Sequence, residues 1–460
     1  MTAHSVPLRT LPGPIAHLDA ITAVLDSGLT CLWLVPDTVV ESGVADQLLD
    51  DLADRPGSIR VPPPKADGQW SRPAADFRAA EIDFTSDGQR PEWARDVFGL
   101  LTDDRWPPPA PDVVEALPPA PGPSLAERLA EMIDEPVDAA DDPVRSLVGA
   151  AELRGRVVVV RAWEELDHAH TADLLVRLPA VLKELGVAPA ERPRLLMASR
   201  LGDLPDGVLG LLDPVTTTVT WWWGALSRLD TAVVVALARS RRARDTPVEH
   251  PVREHVIREV ITEVAGPDLE LASQLAVTWD GRMDTLAADL PAQRTDVGTA
   301  LAANYRPTTA KPPLQLHSTW TRGMVQLWDG EIRPDSAIIA ANEWEGDLLT
   351  KIWRGQNRAL SPVIDGHRAR FEGIVRSRAS MAVLTELTSS GDHGSQETPD
   401  PRRAVLELGP MAWAVGTHRV RIPAANLLFC LRDIRNLLAH LRPLDDQHLD
   451  RLTGLLRDPT

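Results

Sequence analysis

Three polar side chains suited to acid–base and phosphate chemistry lie close together near the C-terminus. They are Arg435, Asn436 and His440, within the stretch CLRDIRNLLAHLRPLDD at 430–446. A histidine can take a proton from a ribose 2′-hydroxyl or give one to a leaving oxygen near neutral pH. An arginine offers a planar set of donors to a phosphate that gains charge, and an asparagine can orient the imidazole. The trio therefore suits phosphodiester cleavage without a metal ion.

Helical periodicity predicts that these three side chains share one face of a helix. At about 100° per residue, with Arg435 at zero, they fall between roughly 0° and 140°. Asn436 and His440 are four residues apart and should be neighbours on that face. The apolar residues fall between about 200° and 320° and are expected to form a buried stripe: Leu427, Leu431, Ile434, Leu437, Leu438 and Leu441.

The spacing of the arginine and the histidine is not specific by itself. Three other pairs in the chain have a similar spacing, with five or six residues in between where Arg435 and His440 have four: Arg161/His168, Arg244/His250 and Arg442/His448. The adjacent asparagine and the amphipathic C-terminal helix distinguish the pair at 435 and 440. The alternative interpretation is a helix face on which arginine and histidine make structural hydrogen bonds or contact another protein.

Composition narrows the class of protein. The chain has 460 residues and a formal net charge of −18, which argues against a protein that coats nucleic acid. From Arg402 onward, nine arginines and six acidic residues leave this end mildly basic. Two cysteines, Cys31 and Cys430, favour a reducing, cytoplasmic setting with neither disulfides nor a zinc site. No apolar run is long enough for a membrane span, and no metal or cofactor is expected.

The first 227 residues alternate between strand-like and helix-like segments. Five strands are predicted, in GLTCLWLVPD (28–37), GSIRVPPP (57–64), RVVVV (156–160), PRLLMASR (193–200) and TTTVTWWW (216–223). This alternation predicts an α/β domain with a doubly wound, mostly parallel sheet. A Pro-rich insertion at about 60–125 interrupts the pattern, because proline fits neither ladders nor helix interiors.

Helical patterns dominate the rest of the chain. We predict a helical lid or connector at 228–304 and an all-α domain at 314–460, with a disordered loop at about 388–403. Ser361–Pro362 marks either a helix start or a kink.

The run TWWWG at 220–224 allows two interpretations. Tryptophans can stack on bases. Because the chain has fourteen Trp but only five Phe and one Tyr, packing in the core or at a domain interface is the better one.

Roughly residues 14–225 resemble the core of AAA and STAND-type P-loop NTPases in the order of their elements. The turn that should cradle phosphate, PDTVVESG (36–43), has no lysine and carries Asp37 and Glu41. Arg161 stands where the resemblance implies a Mg-binding aspartate. Glu164 and Glu165 follow it, and a solvated acidic turn is favoured over a metal site there. We therefore predict a degenerate NTPase-like domain without hydrolysis.

RNLLAH at 435–440 resembles the Arg-x(4–6)-His motif of HEPN domains, which are helical and in many cases RNases of toxin and antiviral systems. The resemblance covers roughly residues 315–460. It implies that Arg435 and His440 are catalytic together with Asn436, and that Arg432 and Arg442 bind RNA. It also implies a homodimer through the C-terminal helical domain, a composite RNA cleft and 2′,3′-cyclic phosphate products.

Two functions remain open at this level. One is a HEPN-type, metal-independent endoribonuclease regulated by the inactive NTPase-like domain, in an antiviral-defence or toxin–antitoxin system with a possible partner protein. The other is a non-catalytic adaptor or regulatory subunit of a defence complex. The absence of a lysine from the turn at 36–43 favours the adaptor for the N-terminal half. The face with Arg435, Asn436 and His440 favours the enzyme for the C-terminal half.

Overall fold

A five-stranded parallel sheet forms the centre of the N-terminal part. The computed structural model describes residues 6–64, 124–133, 142–245, 250–290, 310–336, 345–389 and 400–458. The strands are β1 (Thr30–Leu34), β2 (Ser58–Arg60), β3 (Val157–Arg161), β4 (Arg194–Ser199) and β5 (Thr217–Trp221). Their order in the sheet is β2-β3-β4-β1-β5. The prediction of an α/β domain with a parallel sheet is confirmed. Four strands lie within the segments predicted for them, and β3 extends one residue beyond its segment, to Arg161.

The central strands are buried because helices cover both faces of the sheet. Every residue of β1 is buried, and Cys31 pairs in register with Leu196 on one side and Thr218 on the other. A strand buried on both faces needs a continuous apolar run, which the sequence of β1 supplies. The helices of this part are α1 (Pro12–Asp26), α2 (Asp37–Glu41), α3 (Val44–Ala53), α4 (Leu125–Met132), α5 (Pro143–Gly149) and α6 (His168–Glu184).

The predicted Pro-rich insertion at about 60–125 falls mostly outside the described residues. The same holds for the predicted disordered loop at about 388–403, of which residues 390–399 are not described. Both assignments stay predictions.

A second, helical core occupies the C-terminal part. Its helices are α7 (Arg228–Asp245), α8 (Pro251–Ala265), α9 (Leu269–Thr278), α11 (Glu345–Arg378), α12 (Met381–Ser389), α13 (Leu408–Gly416), α14 (Ala425–Ala439) and α15 (Asp446–Arg457). Buried side chains of α7–α9 and of α11–α15 belong to one hydrophobic cluster. The region predicted as a helical connector thus shares its core with the C-terminal helices.

Helix α11 runs without interruption through Pro362. Proline lacks the N–H that would bond to the preceding turn, so the sequence allowed a helix start here. Leu360 and Ile364, on either side of the proline, are both buried in the helical core. Their packing keeps the two turns on one helix, and the helix-start interpretation is wrong.

The segment at 314–334 packs against the α/β part. It contains α10 (His317–Thr321) and a hairpin of β6 (Val325–Trp328) and β7 (Glu331–Pro334). Its core residues join the cluster built around the sheet: Leu316, Trp320, Val325 and Leu327. This segment therefore links the two cores. The prediction of an all-α structure from residue 314 onward is wrong for the hairpin, because its two strands pair with each other and pack on the α/β part.

A buried network of charges lies where the hairpin meets the helical core. Glu263 of α8 has no exposed surface and forms ion pairs with three arginines. Arg228 Nε and Arg333 Nη1 donate to it at 3.1 Å, and Arg358 Nε lies 3.1 Å from the same carboxylate. Because Arg333 belongs to β7, the network joins the hairpin to α7, α8 and α11.

Lys351 of α11 lies buried beside this network. Its Nζ donates to Ser336 Oγ at 2.6 Å and lies 3.5 Å from the carbonyl oxygen of Val264. Burial lowers the pKa of Lys351 to about 7, and Arg333 acts in the same direction. An ammonium in such a place costs free energy until it loses its proton.

This low pKa predicts a pH-dependent stability. In the unfolded chain a lysine has a pKa of about 10.4. Between about pH 7 and that value, Lys351 is therefore protonated in the unfolded state and neutral in the folded state. The cost of burying Lys351 is therefore complete below pH 7 and fades as the pH rises. We expect the free energy of unfolding to rise from about pH 7 to pH 9 by up to about 1.4 kcal/mol per unit relative to Lys351→Met. Urea titrations of both proteins measure this difference, and parallel pH curves would contradict it.

Within the described ranges, no helix combines the length and the apolar character needed to cross a membrane.

Candidate functional site

Helix α14 carries the predicted polar face and buries most of the predicted stripe. Arg435 and Asn436 are exposed. Four of the six predicted stripe residues are buried in the helical core: Leu427, Leu431, Ile434 and Leu438. Leu437 is half-buried. The angular placement of the polar face within the helix is therefore confirmed.

Leu441 does not belong to the buried stripe, and its predicted burial is wrong. The helix ends at Ala439, and Leu441 takes a left-handed conformation with φ 57°. The backbone N–H of Arg442 then bonds to the carbonyl of Leu437 at 3.0 Å, and that of Leu441 to the carbonyl of Leu438 at 3.1 Å. This is a Schellman ending. It turns the chain away from the helix, so Leu441 is 67% exposed.

His440 is the C-cap of α14, one residue beyond its last helical position. Its backbone has φ −96° and ψ 21°, and its N–H bonds to the carbonyl of Asn436 at 3.1 Å. The side chain is exposed. We find no hydrogen bond or ion pair of its imidazole with any residue that the structure describes. The ring is therefore available to a ligand.

Arg435 lies on the same end of α14 and has one weak ionic contact. Its Nη2 is 3.9 Å from Glu407 Oε2, and the Arg435 side chain is 53% exposed. Exposed pairs of this length contribute little, in the range of about 0–1 kcal/mol. A phosphate could displace Glu407 from this guanidinium at small cost.

The two arginines predicted to bind RNA differ in their surroundings. Arg432 donates to Asp433 Oδ1 from Nε at 2.9 Å and from Nη2 at 2.6 Å, and its guanidinium lies 5.5 Å from the Phe429 ring. Arg442 is exposed, two residues after His440. Of the two, Arg442 is the freer to contact a phosphate.

The structure separates Arg435/His440 from the other pairs of similar spacing. Arg161 is held by two carboxylates, His250 Nδ1 caps α8 by accepting from the Val252 N–H, and His448 Nδ1 lies 2.5 Å from Asp445. In each of these pairs at least one member has a partner at 3.1 Å or less, whereas the contact of Arg435 with Glu407 is 3.9 Å long. The sequence alone could not make this distinction.

Within the described ranges, no group of three or more His, Cys, Asp or Glu residues is arranged to hold a metal ion.

A second candidate site lies at the carboxyl edge of the sheet, where β1 and β4 end. In open α/β sheets ligands bind at this edge where neighbouring connections diverge. Asp37 and Glu41 come from α2, and Arg200 and Asp203 follow β4. Arg200 is held by Asp203, with its Nη2 2.7 Å from Oδ1. Burial raises the pKa of Asp37, Arg200 opposes the shift, and Glu41 and Asp203 add to it.

The turn after β3 is ion-paired. Arg161 Nε donates to Asp46 Oδ1 at 2.8 Å and Nη2 donates to Asp50 Oδ1 at 2.6 Å. Glu165 is buried against Arg128, with Nη2 2.5 Å from Oε1. The prediction of a solvated acidic turn is therefore wrong for Glu165, because an arginine 37 positions earlier covers it.

Helix α10 covers part of this edge. The Trp320 Nε1–H donates to the Trp222 carbonyl at 3.1 Å, and the Trp221 and Trp320 rings lie 5.0 Å apart. A Cβ built at Gly323 would lie 2.5 Å from Thr38 Oγ1, so the segment touches α2 closely. Trp221 and Trp222 are buried, which confirms core packing for the TWWWG run.

These contacts predict that Mg-ATP does not bind at the sheet edge. Asp37, Glu41 and Asp203 bring negative charge to this edge, which disfavours a triphosphate, and Arg200 is already engaged by Asp203. A ligand at a hundredfold its dissociation constant would stabilise the protein by about 2.7 kcal/mol. We expect no such shift in a thermal-unfolding series with millimolar Mg-ATP. A shift that disappears in Glu164→Ala would contradict the prediction, since Glu164 is the remaining candidate for holding the metal.

Two residues of α11 contact the end of α14 and the loop that follows it, and they were not singled out from the sequence. Trp353 Nε1 donates to the Leu438 carbonyl at 2.7 Å, and Gln356 bonds to both backbone groups of Leu444. One pattern could have indicated Gln356. It is a polar residue at helical spacing between Ile352 and Leu360, both of which are apolar.

In comparisons with known proteins, no protein-family model, curated protein or solved structure matches the chain. A functional proposal therefore rests on the geometry described above.

Proposed function

We propose that this protein is a metal-independent endoribonuclease of the HEPN type. The observation that carries the proposal is the exposed end of α14, where the His440 ring has no partner among the described residues and Arg435 has only the 3.9 Å contact with Glu407. Unengaged polar groups on a well-packed helix are suited to bind and transform a ligand.

The proposed chemistry needs one base, one acid and one cation. His440 takes the proton of the ribose 2′-hydroxyl, and the 2′-oxygen attacks phosphorus. The bond from phosphorus to the 5′-oxygen breaks, which leaves a 2′,3′-cyclic phosphate and a 5′-hydroxyl. Arg435 neutralises the charge that grows on the phosphate oxygens, and Asn436 orients the RNA or the imidazole.

A second copy of the chain completes the proposed site. While one histidine holds the proton it has taken, the leaving 5′-oxygen needs a proton from another donor. In a homodimer with facing α14 ends, His440 of the partner subunit supplies it. Arg442, which is exposed on the same exit turn, lies where it can contact the RNA backbone, and Arg432 is assigned a smaller part because Asp433 holds it.

In this proposal the α/β part is an inactive NTPase-like regulator. Carboxylates at the carboxyl edge of its sheet and the covering α10 support the absence of nucleotide chemistry. The hairpin joins this part to α8 and α11 through Glu263. A trigger that acts on the α/β part thus has a route to the helices that carry the site, as expected in a defence or toxin–antitoxin system with a partner protein.

The test is a cleavage assay with purified protein, structured and unstructured RNA, and excess EDTA. We expect cleavage that persists in EDTA, with fragments whose 3′ ends resist ligation until the cyclic phosphate is removed. Cleavage that stops in EDTA would contradict the metal-independent mechanism. If no RNA is cut by the protein, alone or with its neighbouring gene products, the enzyme proposal fails.

A non-catalytic adaptor is the second candidate, and exposed apolar residues favour it. Leu441 adjoins His440, and Val405 lies two residues before Glu407, which contacts Arg435. Both are largely exposed, and apolar groups around a charged face are typical of a protein interface. In that case His440→Ala would leave the biological effect intact, and Leu441→Glu would abolish it.

A further inference from the structure

The turn that carries His440 is anchored at both ends by one helix. Residues 353 and 356 of α11 face the end of α14 and the loop that leads to α15. Residues 354 and 358 of the same helix contact the hairpin, through Glu331 and Asp329. One short stretch of α11 therefore touches both the candidate site and the link to the α/β part.

The first anchor is Trp353. Its Nε1–H donates to the Leu438 carbonyl at 2.7 Å. Leu438 is the second-last residue of α14, and its carbonyl, which already accepts from the N–H of Leu441, has a second lone pair for the indole. The bond sets the position of the last helical turn, two residues before His440.

The second anchor is Gln356, whose side chain has no exposed surface. Its Nε2 donates to the Leu444 carbonyl at 2.8 Å, and its Oε1 accepts from the Leu444 N–H at 2.6 Å. One amide thus satisfies both backbone groups of one residue, as a neighbouring strand would. Leu444 is itself buried, four residues after His440.

Between the anchors the backbone is strained. Leu441 has φ 57°, a conformation that costs a residue with a Cβ roughly 1–2 kcal/mol. Without fixed ends, a leucine there could relax to a negative φ, and the direction of the His440 side chain would change with it. The two anchors therefore stabilise the one arrangement in which His440 and Arg435 face solvent on the same end of α14.

We propose that Gln356 and Trp353 are positioning residues for His440 in RNA cleavage. The inference rests on the proposed function. Neither side chain needs to touch the RNA: they act by holding the 438–444 turn, which places the imidazole relative to Arg435. Misplacing a reacting group by about 1 Å can cost on the order of a hundredfold in rate.

The kinetic test compares Gln356→Leu and Trp353→Phe with the wild type, in the full chain and well below every unfolding midpoint. We expect kcat to fall about 10- to 100-fold for Gln356→Leu, with KM within about twofold. Trp353→Phe keeps the ring and removes only the donor, so a smaller fall in kcat is expected. Thr453→Val is the matched control, because it removes a buried hydroxyl bond to the Leu449 carbonyl in the same core. That variant should lose stability and keep kcat.

A rescue experiment separates positioning from general damage. In Gln356→Glu the new carboxyl, when protonated, can donate to the Leu444 carbonyl and accept from its N–H as the amide does. Burial raises the pKa of such a carboxyl. The ratio of variant to wild-type kcat should therefore rise as the pH falls, whereas the ratio for Gln356→Leu stays flat. A flat ratio for Gln356→Glu, or an unchanged kcat for Gln356→Leu, overturns the positioning role.

One readout does not depend on activity. Ring resonances of His440, assigned by their loss in His440→Ala, report how the imidazole is held. They should shift or broaden in Gln356→Leu and stay in place in Thr453→Val. Unchanged resonances in Gln356→Leu overturn the positioning role even if RNA is cleaved. If the wild type cuts no RNA while the resonances respond as expected, the proposed function fails and the anchoring of His440 is supported.

Discussion

His440→Ala should lower the rate of RNA cleavage by about 10²–10⁴-fold, the usual contribution of a general acid or base. If both copies of a dimer contribute one histidine each, the loss belongs to the upper part of this range. The side chain is exposed and has no partner among the described residues, so the variant should unfold at the wild-type temperature. Single-turnover cleavage with saturating protein, in EDTA, measures the chemical step.

His255→Ala is the matched control for this variant. His255 is also exposed. It lies on α8, a helix that packs in the same helical core but does not carry the candidate site. Its loss should leave the cleavage rate within about twofold of the wild type, because exposed substitutions away from a site change little. Equal activity of His440→Ala and His255→Ala would exclude the proposed mechanism while leaving the fold untouched.

Glu263→Ala should have the largest effect on stability. The variant leaves Arg333, 6% exposed, without its closest carboxylate, and removes a shared partner from Arg228 and Arg358. Breaking a buried ion pair from one side costs about 3–5 kcal/mol. We expect about 3 kcal/mol, since each of the three arginines retains another carboxylate. Urea-induced unfolding, followed by tryptophan fluorescence, measures the loss.

The control for this prediction is a pair of the same chemistry on the surface. Glu184 pairs with Arg145, and both side chains are about half exposed. Glu184→Ala should cost no more than about 1 kcal/mol. If the two variants lose equal stability, burial does not govern the Glu263 network, and the hairpin is not held to the helices as described.

The His440→Ala and Glu263→Ala variants test two different parts of the proposed function. His440 tests the chemistry proposed at the end of α14, whereas Glu263 tests the junction through which the α/β part contacts α8 and α11. A Glu263→Ala protein that stays folded at low temperature but cleaves RNA at an altered rate would support regulation through this junction. An unaltered rate in such a protein would argue that the two parts act independently.

The elements that depend on local pattern were predicted well. Continuous apolar runs indicated strands buried on both faces, and β1, β3 and β4 are such strands. The period of α14 indicated four of its six buried residues, and it indicated that Arg435 and Asn436 face outward. The absence of a lysine from the turn after β1 is likewise visible in the sequence itself.

Where prediction failed, the cause was a contact between distant residues or a change of backbone direction. The position of Leu441 fits the apolar period of the helix. However, the helix ends two residues before it, and the turn exposes its side chain. Glu165 looks solvent-exposed in its acidic turn, but Arg128 covers it. The contact of Glu165 joins residues 37 positions apart, and the helix end at Leu441 lacks the glycine that usually marks such a turn.

The sequence by itself determined the sheet, the amphipathic helix and the types of side chain at its polar end. Tertiary structure alone decided that α10 covers the sheet edge, that three arginines meet at Glu263, and that Gln356 holds a residue 88 positions away. The physical reason is that the burial of side chains within one helix or strand follows the period of that helix or strand, which can be seen in the sequence. Ion pairs between elements and the anchors of the 438–444 turn depend instead on which elements meet after folding. The reactivity proposed for His440 depends on both, because the residue type comes from the sequence and the proposed anchoring of its turn comes from α11.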